Sequence, residues 1–202
     1  MSQPNSAVRP VDIEVITNEY RRIELPAGRP VELDMGCGKG GFLIELARRK
    51  PDRLIVGVDV MLGRLRKVAR WAARSGVTNV RLLRANNREL VEYQLPPRSI
   101  RRLHILCPDP WPKVRHRDRR LLNSDFLNRL CRIMEPEGII HISTDDAAYI
   151  DLVKRNIESL AAFENAPLAA LADVRDIETE FEQQWKAEGK KVEHLSIRTA
   201  VT

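Results

Sequence analysis

Cysteine is scarce in this chain. Cys37, Cys107 and Cys131 form an odd set, far apart, with no CxxC pair and no histidine pair beside them. That pattern excludes a disulfide scaffold and a zinc site of the usual spacing, and it reads as reduced, mostly buried thiols. Long apolar runs are missing as well: nowhere do about 18 apolar residues follow one another as a membrane span requires. The opening MSQPNSAVRPVDIEV has neither the charged start nor the continuous apolar stretch of a signal peptide. The expectation is a cytoplasmic protein with no membrane anchor. Negative charge is the minority, 28 acids against 34 lysines and arginines for a net +6 at pH 7. Net charge speaks to association and not to fold, so a polyanionic partner follows only if the cations are clustered where they matter.

With 202 residues, 43% of them hydrophobic, the chain can bury one sizeable core but is short for two. Residues 1–12 are polar and contain Pro and Ser, which suggests a mobile lead-in, followed by a single domain over 13–202. Short apolar runs of strand length (31–35, 54–58, 80–83, 103–106 and 138–142) alternate with segments of helical spacing. The latter include Phe42, Leu43, Leu46 and Ala47; Leu62, Leu65, Val68 and Ala72; and Leu122, Phe126, Leu130 and Met134. Strand and helix in alternation predict an α/β fold, a mostly parallel sheet with helices on both faces. One stretch breaks the rhythm. Pro108, Pro110 and Pro112 stand at alternate positions, which forbids a helix and cannot continue a central strand, so Pro108 to Lys113 must leave the carboxyl end of a strand as a stiff loop. Ligands of open α/β sheets bind at that edge.

Four groups of residues at such edges can carry chemistry. Asp34-Met35-Gly36-Cys37-Gly38-Lys39-Gly40-Gly41 ends the first run and opens a helix, so a ligand can approach the backbone closely. Gly36, Gly38 and Gly41 also satisfy the dinucleotide fingerprint, with Asp59 placed to grip ribose hydroxyls, and a nicotinamide enzyme is therefore a real alternative. Asp34 argues against it, since a carboxylate beside the first glycine repels a pyrophosphate and attracts an ammonium. Asn86, at the end of the third run, can both donate to and accept from an adenine edge, or simply sit in a turn. Asp109 and Trp111 lead into Lys113 and a cluster of Arg115, His116, Arg117, Arg119 and Arg120, which looks like a phosphate-contacting group. Arg66, Arg70 and Arg74, four residues apart, read instead as the exposed face of a helix. Of Asp145 and Asp146, one is expected to cap the helix that follows and the other to be free to hold a base. Thr179, Glu180, Phe181 and Glu182 combine a capping hydroxyl with acids in the first turn of a short helix ending by Gly189. His104 and His141 are strand residues, and no histidine has metal-ligand spacing.

Together these residues resemble the bacterial tRNA (guanine-N7)-methyltransferase family, from about Val31 to about Arg198. The most specific part is Pro-Asp-Pro-Trp-Pro-Lys followed by Arg-His-x-x-Arg-Arg-Leu at Pro108 to Leu121, supported by Ser143-Thr144-Asp145 and by Thr-x-Phe-Glu at Thr179 to Glu182. The resemblance implies a Rossmann-like class I methyltransferase fold with a seven-stranded sheet. It implies S-adenosylmethionine as cofactor, which carries an ammonium and a sulfonium and no phosphate, and tRNA as partner, with no metal. It places cofactor contacts at Asp34, Gly36, Gly38, Asp59, Asn86 and Asp109, the last also the central catalytic acid. Substrate contacts fall at Lys113, Asp145, Thr179, Glu180, Phe181 and Glu182, in a monomer or homodimer. The chain departs from the family in having aspartate where glutamate is usual at Asp34 and Asp59, Asn86-Asn87 where an aspartate and an alanine are usual, and a shorter, less basic N-terminus. A non-catalytic or different-substrate RNA-binding protein that keeps the fold is the competing expectation.

Overall fold

The computed structural model describes residues 11–16, 21–111 and 114–200. The expected lead-in therefore lies outside the described residues except for Val11 and Asp12.

The described chain contains β1 (Ile13–Val15), β2 (Val31–Met35), α1 (Gly41–Arg49), β3 (Leu54–Asp59), α2 (Leu62–Arg74) and β4 (Val80–Arg84). A three-residue helical turn, α3 (Asn87–Glu89), then runs into a π-turn at Leu90–Gln94. After it come β5 (Ile100–Leu106), α4 (Ser124–Ile133), β6 (Met134–Thr144), α5 (Ala147–Glu158), β7 (Phe163–Asn165), α6 (Glu180–Ala187) and β8 (Glu193–Thr199). The strands form one sheet in the order β1-β4-β3-β2-β5-β6-β8-β7, in which only β8 runs antiparallel to its neighbours. The sheet has eight strands where seven were expected. The short outer strands β1 and β7, three residues each, are recognisable by their hydrogen-bonded partners rather than by apolar pattern.

Two apolar layers enclose the sheet. One holds Leu33, Val56, Leu103 and Ile140 against α4 and α5. The other packs α1 and α2 through Phe42, Leu43, Leu65 and Val68 onto Ile55 and Leu82. This second layer is tightly fitted at Gly57, where an added Cβ would stand 2.8 Å from Leu43 Cδ2 and 3.1 Å from Leu82 Cδ2. Gly57→Ala is accordingly expected to lower stability by about 1–3 kcal/mol through overpacking. It should shift the urea midpoint and leave the slope of the transition unchanged; an unshifted midpoint would show that the layer can yield.

Strand order reverses between β2 and β5, which are paired side by side with β3 beyond one and β6 beyond the other. A crevice opens where connections leaving two adjacent strands turn to opposite faces.

Candidate cofactor and substrate cavity

The crevice is a cavity of about 560 Å³. Its floor is the turn after β2, where Gly36 (φ 82°) and Gly38 (φ 56°) take left-handed conformations. A side chain at Gly36 would meet no atom within 4 Å, so the space over this turn is open for a ligand. Gly36 and Cys37 both donate to the Val58 carbonyl, at 2.9 and 2.8 Å, which fixes the turn to β3.

Acids converge here. Asp34 is 3% exposed, and burial, reinforced by the charges of Glu180 and Asp59, pushes its carboxyl up to about 8. Asp59, at the end of β3, is also buried; its Oδ1 accepts the Met61 N–H at 2.7 Å and its Oδ2 lies 3.5 Å from Arg64. Glu180 arrives from α6, far along the chain, and its Oε1 would stand 3.1 Å from a Cβ at Gly41. The close approach of Glu180 to the glycine turn had no signal in the local sequence, because it depends on how α6 docks. Cys37 and Cys107 also line the cavity. Burial and then neighbouring acids push the Cys37 thiol well up, and burial pushes Cys107 up to about 12. Neither is a thiolate, so covalent catalysis by cysteine has no basis here.

Asn86 is the N-cap of α3: its side-chain oxygen accepts from Arg88 N at 2.9 Å and Glu89 N at 3.5 Å. The cap occupies that oxygen, and the residue also lines the cavity. The neighbouring Asn87 lines it too, with a buried side-chain oxygen that has no hydrogen-bond partner.

The far wall is the proline loop after β5. Asp109 is exposed at the rim, and Cys107 (φ 53°) and Trp111 (φ 42°) bend the chain around it. Arg120 braces the loop by donating through Nε to the Pro110 carbonyl at 2.8 Å, while its guanidinium rests 5.4 Å from the Tyr149 ring centroid. Arg88 holds the Arg120 carbonyl at 2.8 Å. Trp111 meets His116 edge-on at 5.5 Å and carries the Arg119 guanidinium 5.0 Å from its centroid. Lys113 lies outside the described residues.

Of the remaining expected residues, Thr179, Glu180 and Phe181 line the cavity and Asp145 and Glu182 do not. Asp146 caps α5 by accepting Tyr149 N–H at 2.9 Å, which leaves Asp145 free of that role and 3.7 Å from Lys190. Thr179 and Glu182 form a reciprocal capping box at the start of α6, Glu182 being 2% exposed. Its side chain faces the protein interior, so its direct contribution is to hold α6. Phe181, 53% exposed, lies 5.8 Å from Trp185, an aromatic pair beside the mouth of the cavity. Trp185, Arg64 and Arg88 are lining residues that the sequence reading did not single out. Among the described residues, no group of three or more His, Cys, Asp or Glu side chains could hold a metal ion, and no helix is long and apolar enough to cross a membrane.

The mostly parallel sheet, with a glycine turn and acids at its reversal point, has the Rossmann-like class I methyltransferase fold. Solved structures share this fold: a 16S rRNA methyltransferase, KamB, is similar with TM-score 0.57 and 20% identity over 86% of this chain and 88% of that one. TrmN from Thermus thermophilus is similar with TM-score 0.59 and 20% identity over 86% of this chain and 45% of that one. Residues 28–195 match a family described as putative methyltransferases, and the chain belongs to the bacterial tRNA (guanine-N(7)-)-methyltransferase family. It is 35% identical to the protein of that name from Thermotoga maritima over 80% of this chain and 51% of the relative. It is 32% identical to that of Syntrophotalea carbinolica (84% and 74%) and 33% identical to that of Rubrobacter xylanophilus (84% and 76%). The chain thus spans about half the length of the first relative and about three quarters of the other two.

Proposed function

We propose that the protein transfers a methyl group from S-adenosylmethionine to N7 of a guanine in the variable loop of tRNA, acting in the cytoplasm as a monomer or homodimer. The observation that carries this reading is a single cavity that joins the buried acids of the glycine turn to the Asp109–Trp111 loop with its cationic rim. The residues fit the cofactor. Asp34, Asp59 and Glu180 form a cluster of carboxylates whose mutual repulsion an ammonium and a sulfonium would relieve, and the open space over Gly36 admits a ligand against the backbone. Asp34 and the Gly36–Gly38 turn would hold the amino-acid end, Asp59 the ribose hydroxyls, and the Asn86 amide the adenine edge. Asp109 would face the reacting end.

S-adenosylmethionine supplies an electrophilic methyl on its sulfonium. Guanine N7 has a lone pair and no proton, so no side chain is needed as a general base. The protein's part is to align the two partners and exclude water, a contribution that can reach roughly 7–11 kcal/mol. Positive charge would grow on the base as N7 is alkylated, and Asp109 at the rim would stabilise it or accept from the guanine edge and so select that base. Trp111 offers a stacking surface for a base drawn out of the folded tRNA. Glu180 and Phe181 bound the substrate side of the cavity, Thr179 and Glu182 hold their helix turn, and Asp145 and Lys113 complete the substrate contacts.

The direct test incubates the protein with radiolabelled S-adenosylmethionine and unmodified tRNA transcripts, then cleaves at N7-methylguanine with borohydride and aniline. Scission at one variable-loop guanine is expected. Label without that scission would keep a methyltransferase and discard N7.

The rim makes a second prediction. Arg115 and Arg119 are exposed and have no carboxylate partner among the described residues. Arg115→Ala is expected to weaken tRNA binding and to reduce the dependence of log affinity on log salt by about 0.7–0.9, as for one lost phosphate contact. Affinity for S-adenosylhomocysteine should not change. An unaltered salt slope would remove Arg115 from the RNA interface.

A further inference from the structure

A line of buried polar side chains crosses the sheet beneath α1. Glu32 in β2 pairs through Oε1 with Arg53 and through Oε2 with His104 Nε2 at 3.0 Å. His104 Nδ1 stands 3.2 Å from His141 Nδ1, and His141 Nε2 stands 3.0 Å from His194 Nδ1. Beyond it, His194 Nε2 lies 3.8 Å from Glu182 Oε1. Glu32 and His104 are wholly buried, His141 and Glu182 nearly so. Phe42 of α1 seals the line, its ring 4.8 Å from that of His104 and 6.4 Å from that of His141. None of the three histidines lines the cavity, yet the line ends on the acid that caps α6.

Counting protons shows what is unusual about it. Four contacts join the five side chains, each requires one proton, and three neutral imidazoles supply three. Burial opposes the charge on Glu32, but the hydrogen bond from His104 and the charges of His104, Arg102 and Arg53 outweigh it and hold its carboxyl below the usual range. An ionised carboxylate only accepts, so His104 donates through Nε2 and accepts at Nδ1. His141 then donates through Nδ1 and accepts at Nε2 from His194 Nδ1. The His194 Nε2 lone pair is left facing Glu182 Oε1, a buried oxygen with no hydrogen-bond partner. Glu182 Oε2, by contrast, accepts the Thr179 N–H at 2.7 Å. The line is one proton short, and the gap falls at α6.

We propose that His194 is a positioning residue for the cavity. Uptake of the missing proton at its Nε2 closes the contact with Glu182 and fixes the first turn of α6, and with it Glu180 and Phe181, at the cavity rim. The effect on ligand affinity rests on the cofactor reading given above. The groups facing His194 are His141 from β6, Glu182 and Lys186 from α6, and Arg175 from the segment before α6. Burial lowers its affinity for a proton, Glu182 raises it, and Arg175 and Lys186 lower it, leaving the imidazole below its ordinary range. His104 and His141 are also held down, chiefly by burial. The proton is therefore absent at neutral pH and is taken up as pH falls below it.

The experiment is an imidazole ¹⁵N NMR titration of the intact protein, followed alongside the Thr179 and Glu182 amide resonances and S-adenosylhomocysteine affinity. At pH 8, His104 should be protonated on Nε2 and His141 and His194 on Nδ1. As pH falls, the two α6 amides should shift with the His194 midpoint, and ligand affinity should change by about fivefold or more over the same interval. In His194→Gln the amide response should vanish, and the affinity should keep only the dependence that Asp34 carries, without the step at the His194 midpoint. Glu182→Gln carries the fourth hydrogen covalently, and should hold the amides at the low-pH plateau whatever the pH and remove the His194 step from the affinity profile, leaving the dependence that Asp34 carries. Other tautomers, α6 amides blind to His194, or a wild-type pH profile of affinity in His194→Gln would overturn the proposal. If the wild-type protein bound no S-adenosylhomocysteine at any pH, the cofactor reading would fall, and the amide titration alone would decide whether His194 governs α6.

Discussion

Asp34→Asn is expected to weaken S-adenosylhomocysteine binding by about 2–5 kcal/mol, the usual cost of removing one partner of a buried charged pair. At 25 °C that corresponds to about 30-fold to several thousand-fold. Asp34 is buried, and its carboxyl is raised from an ordinary 3.8 to about 8, first by burial and then by Glu180 and Asp59. Between those two values the free folded protein holds a proton that the unfolded chain has released. Its stability contribution is therefore complete at pH below 3.8 and declines as pH rises through the window, by about 1.4 kcal/mol per unit for one proton. An incoming ammonium favours the ionised form, so binding below pH 8 should expel a proton and tighten as pH rises toward 8. Titration calorimetry in buffers of different ionisation enthalpy reads that proton directly. Proton release of close to one equivalent that disappears in Asp34→Asn is the expected result; proton uptake, or release that survives the substitution, would place the ammonium elsewhere.

Asp109→Asn is expected to reduce turnover by about 10²–10³, the range seen when one preorganised electrostatic partner of a transition state is removed. The argument rests on position and on rigidity. Asp109 stands between two prolines on a loop whose Pro110 carbonyl is held by Arg120, itself resting on the Tyr149 ring of α5. Its carboxylate is thus presented from a fixed frame. Because Asp109 is exposed, exchanging its charge for an amide leaves the fold intact. The loss should appear in kcat with tRNA affinity nearly unchanged, measured in single turnover with saturating tRNA. Near-normal turnover would remove Asp109 from the centre of the reaction and leave it as a wall of the cavity.

How legible the molecule was depended on how far apart the cooperating residues lie. The central strands could be read because each is an apolar run of fitting length between turn residues, and the glycine turn with Asp34 and Asp59 because strand, turn, helix and acid follow one another within thirty residues. The proline loop was readable from stereochemistry alone. Strands β1 and β7 were not: three residues carry too little pattern, and their pairing is decided by β4 and β8. Asn86 was ambiguous because one amide can cap a helix and face a ligand at once. The Thr179–Glu182 turn signalled its capping box, but its meeting with Gly41 depends on packing between segments about 140 residues apart. The Glu32–His104–His141 row did leave a trace, a glutamate or histidine within each of the strand-length runs 31–35, 103–106 and 138–142, yet only the pairing of those strands shows that the three side chains meet.

The sheet is not completed in the order in which the chain is synthesised. β8, which follows β7 in the chain, is not an edge strand but lies between β6 and β7 and pairs with both. A nascent chain that stops at Gly189 already contains the glycine turn, the Asp109 loop and all of α6. It lacks the strand that carries His194, leaves β7 without a neighbour, and presents the eleven-residue β6 as an open edge. Exposed edges template pairing with other chains. A late nonsense mutation is therefore expected to yield an insoluble product and not a weakened enzyme, although every cavity-lining residue has by then been translated.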